Sequence, residues 1–277
     1  MTLPAGASEA RRIGGGDINE AFRVVLADGR DAFVKSRADA PAGEYEAEAH
    51  GLHWLAQPGA LRTPAVLAVD DRYLALEWIP PGALDAAGAE ELGRGLADTH
   101  AAHAPAFGDS GAGAPMRFGA VSLSNEPCAD WPQFYALRRL DPLAAIARDQ
   151  GALTRAGARA IERVCEKLPG LVGEPEPPAR LHGDLWSGNV MADADGRPWL
   201  IDPSAYGGHR EVDLAMLALF GAPSERVLAA YEERSPLAEG WRDRVELYQL
   251  LPLLVHAVLF GGSYCAAAER VALRYAH

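Results

Sequence analysis

Pro80-Pro81-Gly82 divides the chain into two parts that follow different rules of hydrophobic spacing. Consecutive prolines fix φ and remove two N–H donors, so neither a strand ladder nor a helix runs through them. On the N-terminal side, FRVVLADGRDAFVKS carries two β-rich runs joined by Asp28-Gly29, a strong hairpin signal. AVLAVDDRYLALEWI repeats the pattern with Asp70-Asp71 at its turn. Between the hairpins, residues 42–57 (AGEYEAEAHGLHWLAQ) place Tyr45, Ala49, Leu52 and Leu55 near one helical face, and Pro58-Gly59 ends the run. Beyond Pro81 the spacing turns helical over 86–102, 131–148, 152–167, 211–220, 224–233 and 240–260. One hairpin is embedded there, NVMADADGRPWLID (189–202), and residues 104–130, rich in Gly, Ala, Pro and Ser, read as a long loop. The predicted fold is α+β: a small antiparallel sheet lobe over 1–80, a larger, mainly helical lobe over 81–277, and a cleft between them.

Charge narrows the partners. The formal net charge is -12, and a protein that neutralises many phosphates needs a basic face, so nucleic acid and anionic membrane surfaces are disfavoured. A small anionic ligand is compatible, because a few residues and a bound cation can handle it locally. Cys128, Cys165 and Cys265 are odd in number and form no CxxC pair, which argues against a disulfide framework and for free thiols in a reducing cytoplasm. The first residues lack the apolar segment of a signal peptide. LLPLLVHAVLF (250–260) contains Pro252 and His256 and falls short of the roughly 20 residues a membrane span needs, so it reads as a buried helix. There is no internal repeat. Oligomeric state is not legible.

The chemistry concentrates in LHGDLWSGNV (181–190). Asp184 and Asn189 lie five positions apart, and Asp202 follows at the end of the embedded hairpin. Magnesium takes oxygen ligands and is commonly held by one or two carboxylates plus substrate phosphates. Asn189 and Asp202 suit that task, which leaves Asp184 to accept a proton from an attacking hydroxyl. Phosphoryl transfer asks for little more than a metal clamp, an oriented nucleophile and a cation on the phosphates.

HGDLWSGN followed by IDP resembles the catalytic loop and metal-binding signature of the protein-kinase superfamily, and more closely the aminoglycoside-phosphotransferase-like small-molecule kinases. Together with DPSAYGGHREVDLAM (202–216), it is similar to the fructosamine (ketosamine) kinase family, with GGGDINEAFRV, FVK and the YEAEAHGL helix in the same order along the chain. The resemblance implies a protein-kinase-like two-lobe fold, ATP and Mg2+ as cofactors, and phosphorylation of the 3-hydroxyl of a ketosamine. It implies that Lys35 contacts the α- and β-phosphates, paired with Glu48 or, as the alternative, Glu44. Gly14, Gly15 and Gly16 fall where a glycine-rich loop covers the phosphates, though Asn19 stands at its last glycine and Asp17 adds a negative charge without a physical account. Glu77, Trp78 and Ile79 match the interlobe backbone that meets adenine. Asp213 matches a carboxylate bracing the catalytic loop, with His182 as scaffold rather than base.

Two departures from protein kinases matter. Trp186 stands where a phosphate-contacting lysine is usual, so the metal and Lys35 must carry more charge, and the indole offers a face for a sugar or its chain. Pro203 replaces the Phe of DFG, and no activation-loop switch is expected. His209 and Arg210 are substrate or phosphate contacts in this reading, with a surface ion pair as the alternative. Competing functions are phosphorylation of an aminoglycoside, choline or amino alcohol, an inactive nucleotide-binding protein, and a metal-dependent hydrolase built on His182 and Asp184.

Overall fold

The computed structural model describes residues 8–14, 19–111, 113–221 and 225–277. Gly15, Gly16 and Asp17 therefore lie outside the described residues. Strands β1 (Ser8–Ile13), β2 (Glu20–Val25), β3 (Asp31–Ser36), β4 (Val66–Asp70) and β5 (Tyr73–Glu77) form one antiparallel sheet in the order β1-β2-β3-β5-β4. At Asp28-Gly29, Gly29 takes φ 83° and the Leu26 N–H closes on the Arg30 carbonyl at 2.8 Å.

Strand alternation sorts β3 by face. Ala32 and Val34 pack with Phe22, Val24 and Ala75 on one side. Phe33 joins Leu74 and Leu76 on the other, against Tyr45, Ala49 and Leu52 of helix α1 (Glu44–Ala56). Period two then puts Lys35 on the α1 side with Phe33.

Beyond Pro81, helix α2 (Ala86–Ala101) starts at Asp85, whose carboxylate accepts the Gly88 N–H at 2.7 Å. The long loop is not featureless: strands β6 (Met116–Phe118) and β7 (Val121–Leu123) form a hairpin whose Met116, Val121 and Leu123 are buried in the largest core. The periodicity over 131–148 conceals a break. Helix α3 (Trp131–Tyr135) passes through a wide π-helical turn, Ala136–Leu140, into α4 (Asp141–Asp149). Helix α5 (Arg155–Leu171) begins later than its spacing suggests, because Thr154 caps it through Gly157 N at 3.0 Å.

Strand β8 (Ala179–Leu181) leads into the HGD loop, and the embedded hairpin is β9 (Val190–Ala192) with β10 (Pro198–Leu200). Strand β11 (Tyr206–Gly208) returns to pair with β8, an association too distant and short to read from pattern. Helices α6 (Glu211–Leu217), α7 (Glu225–Arg234), α8 (Trp241–Phe260) and α9 (Ser263–Tyr275) complete the chain. The last was not expected, since its apolar face is mostly alanine. Apolar residues of α3, α4, α5, α8 and α9 share one core, and α2 and α7 close a second over Leu185 and Leu200. Among the described residues no helix is long and apolar enough to cross a membrane.

The embedded hairpin also bonds the segment after β5 and the connection between α1 and β4. Gly82 N–H donates to Ala192 O at 2.8 Å, and Leu200 N–H donates to Arg62 O at 2.9 Å.

Candidate active site

A cleft of about 1050 Å³ runs between the sheet and the helices. Lys35, Glu48, Asp184, Asn189 and Asp202 all line it. The Lys35 ammonium is buried and bridges two carboxylates, pairing with Glu48 Oε2 and with Asp202 Oδ1 at 3.0 Å. Glu44, the alternative partner, is instead bound to Arg37 at 2.6 Å. Burial alone would lower the Lys35 ammonium, but the Asp202 and Glu48 charges outweigh it and hold it above its usual range. Asp202 opens to the cleft and stays below the usual carboxylate range, because Lys35 overcomes the burial that would raise it. Glu48, more enclosed and beside Asp202, is pushed up to about 7 by burial despite Lys35. Asp202 adopts φ 53°, a left-handed conformation that Asp tolerates better than most residues.

Asp184 is held by its neighbours in the loop. The Asn189 amide donates to Asp184 O at 2.8 Å and to Asp184 Oδ2 at 3.1 Å. With Nδ2 committed, Asn189 Oδ1 is left as the acceptor atom of that side chain. Burial raises Asp184 to about 7, against the Asn189 hydrogen bond and with help from Asp202 and Asp213.

The loop backbone is braced from beneath. Asp213, fully buried at the start of α6, accepts His182 N–H at 2.7 Å and Gly183 N–H at 2.9 Å. Its Oδ2 also meets His100 Nε2 at 3.3 Å, and His100 Nδ1 meets the Tyr231 hydroxyl at 2.8 Å. Gly183 takes φ 84°, and a Cβ there would lie 2.1 Å from Ser204 O, so the HGD turn closes on the segment after Asp202 only with glycine. The His182 ring spans the same gap: Nδ1 accepts the Asp184 N–H at 3.2 Å, and Nε2 faces Ile201 O at 2.9 Å. That pattern makes Nε2 the protonated nitrogen, and burial lowers the imidazole below its usual range. His182 has no ring nitrogen left for chemistry.

The cleft is also lined by Ile13, Gly14, Leu76, Glu77, Trp78 and Ile79. The outer end is aromatic. Trp186, 38% exposed, meets Phe220 edge-on at 5.9 Å, and Phe220 meets His256 at 5.2 Å. His256 in turn lies 4.8 Å from Tyr264. A Cβ on Gly188 would overlap the indole at 2.3 Å, so this glycine lets Trp186 fold back over its own loop.

His209 and Arg210 do not reach the cleft, which corrects the substrate contact expected of them. His209 is buried and stacked on Tyr248 at 5.4 Å and 17°. Arg210 forks onto Glu176 at 2.8 and 2.7 Å and also bonds Ser235 and Pro236. Their proximity to Asp202 in sequence is undone by β11, which turns the chain back into the helical core. His100, Gly188 and the ring cluster on α8 and α9 were missed, because nothing in their local spacing separates them from packing residues.

The sequence profile of the fructosamine kinase family matches residues 2–275. The chain belongs to that family. A protein of Lactiplantibacillus plantarum named as a probable ketoamine kinase is 33% identical over 273 residues, covering 96% of this chain and 94% of its own. The crystal structure of a candidate fructosamine-3-kinase from Thermobifida fusca is 46% identical with a TM-score of 0.89, covering 98% of this chain and 93% of that one. The ADP-bound aminoglycoside phosphotransferase APH(2'')-Ib shares the fold at 15% identity and a TM-score of 0.66, over 98% of this chain and 95% of that one. The chain is thus a protein-kinase-like phosphotransferase with an alcohol group as acceptor.

Proposed function

We propose that the protein uses ATP to phosphorylate the 3-hydroxyl of a ketosamine, the adduct formed when a sugar glycates an amine. In this reading Asp184 orients the hydroxyl and takes its proton at a carboxylate oxygen as the new O–P bond forms and the bond to the leaving ADP oxygen breaks. Lys35, kept charged by its two carboxylates, holds the phosphates. Asn189 Oδ1 and Asp202 are oxygen donors of the kind magnesium takes, and no cluster of three or more His, Cys, Asp or Glu could hold an ion unaided among the described residues. An ion held there would neutralise charge on the nucleotide's phosphates. Carbon 3 adjoins the carbonyl at carbon 2, so enolisation toward carbon 1 gives an enaminol from which the carbon 3 phosphate leaves as inorganic phosphate, and water then hydrolyses the resulting carbon 1 imine to free the amine, a deglycation step.

The observation that carries this reading is the pairing, in one cleft, of the Lys35–Asp202–Asp184 group with an aromatic outer wall. The lining residues from α8 and α9 are Val255, His256, Leu259, Phe260 and Tyr264, none of them acidic. That wall suits a sugar with an apolar or neutral substituent and offers no carboxylates to a polycationic aminoglycoside. The test is ADP release with fructosyl and ribulosyl amines, kanamycin and choline, with the product's phosphate located by NMR. Turnover of a ketosamine with phosphorus coupled to the carbon 3 proton is expected. Turnover confined to kanamycin or choline would leave a kinase and remove the ketosamine.

A further inference from the structure

Resting on the reading above, we infer that Arg117 is an oxyanion receptor in the cleft, for an anionic group that arrives with the substrates. Lys35 and Arg117 are the two permanently charged cations among the cleft's described lining residues, and Lys35 is already shared between two carboxylates. Arg117 is not matched in this way. Among the described residues its Nε is buried with no hydrogen-bond partner, and its one side-chain hydrogen bond, from Nη2 to Ala42 O, is long at 3.4 Å. Nε and Nη2 form one edge of the guanidinium, the edge that meets a carboxylate or phosphoryl group with two parallel N–H donors.

The scaffold behind this edge is firm. Arg117 is the middle residue of β6, paired across the hairpin with Ser122, while Met116 beside it is buried in the main core. The Ser204 hydroxyl donates to Arg117 O at 2.6 Å, which ties the hairpin to the segment two residues past Asp202. A long side chain whose backbone is fixed at both points, and whose Nε lacks a partner among the described residues, is organised for a ligand.

Two groups share the required chemistry: the γ-phosphoryl of ATP and a carboxylate on the acceptor, as in the ketosamine of a free amino acid. Arg117→Met and Arg117→Lys are compared with the parent protein, with melting temperatures checking that each folds. Calorimetry gives the Mg-ATP and Mg-ADP affinities. Kinetics use fructosyl-glycine and fructosyl-glycinamide, which differ by one carboxylate. Losing charged hydrogen bonds should cost Arg117→Met about 10- to 100-fold in one comparison, with Arg117→Lys recovering part of it. A fall for Mg-ATP but not Mg-ADP assigns the γ-phosphoryl; a rise in KM for the acid but not the amide assigns the acceptor. Unchanged ratios in both comparisons overturn the inference. If the parent protein turns over neither ketosamine, the functional reading falls instead, and the ATP-to-ADP ratio alone decides Arg117.

Discussion

At the Lys35 end of the cleft the side chains are held by charge and directed hydrogen bonds: one ammonium between two carboxylates, one amide across Asp184, two backbone N–H groups on Asp213. At the Trp186 end, rings hold rings, at centroid distances of 5.9, 5.2 and 4.8 Å, and much of their surface faces solvent. Directed bonds fix an atom to a few tenths of an ångström, which a transferred phosphoryl requires. Ring contacts tolerate repacking at small cost. Under the proposed function the difference separates two tasks: the polar end would set which bond is made, and the aromatic end which molecule is admitted.

If that division is right, substitutions at the two ends fail in different ways. Asp184→Asn should lower kcat by about 10²- to 10⁴-fold, the usual weight of a general base, with Mg-ATP affinity nearly unchanged. Near-normal turnover in a steady-state assay would remove Asp184 from the chemistry. Trp186→Ala should lower kcat/KM for a ketosamine by about 10- to 100-fold through loss of one buried aromatic contact, leaving KM for ATP within about twofold. A matching rise in KM for ATP would mean that the two ends are not separable. His209→Asn should leave both kinetic constants alone, since His209 lies in the core.

The effect of that last substitution is on acid stability. Burial depresses the His209 imidazole to about 4, against the pull of Glu176 and with Arg210, Arg244 and His100 also facing it. The unfolded chain binds its proton near pH 6.5, so the folded state is fully stable above that pH and loses stability as the pH falls toward 4, by about 3 kcal/mol. Asp184 and Glu48 act in the opposite sense in the same window but are common to both proteins. The difference between parent and His209→Asn in urea unfolding should therefore change between pH 6.5 and 4.5. A difference independent of pH would show that His209 is not held neutral.

The polar end was largely legible in the sequence because its residues lie in short motifs with fixed spacing. HGDLWSGN brings Asp184 and Asn189 together within one loop, and strand alternation alone turns Lys35 toward α1. The choice between Glu44 and Glu48 was not legible, since both lie on one helix and only Arg37 takes Glu44 away. The aromatic end was nearly invisible: Phe220, His256 and Tyr264 come from three segments whose spacing reads as ordinary core. His209 and Arg210 misled for the converse reason. They follow Asp202 closely in sequence, and a three-residue pairing with β8 carries them away from it.

The hairpin joining Val190 to Leu200 is gripped on both flanks, by Gly82 on one strand and by Arg62 on the other. This limits how the cleft can breathe. If the sheet lobe swung about an axis through those two hydrogen bonds, both would survive, with the change taken up in side-chain contacts on either side. If it slid along the helices, both would break together, and two backbone pairs would be left unmet at the molecule's waist. Of the two motions only the rotation, as of a door on two pins, would leave both hydrogen bonds in place.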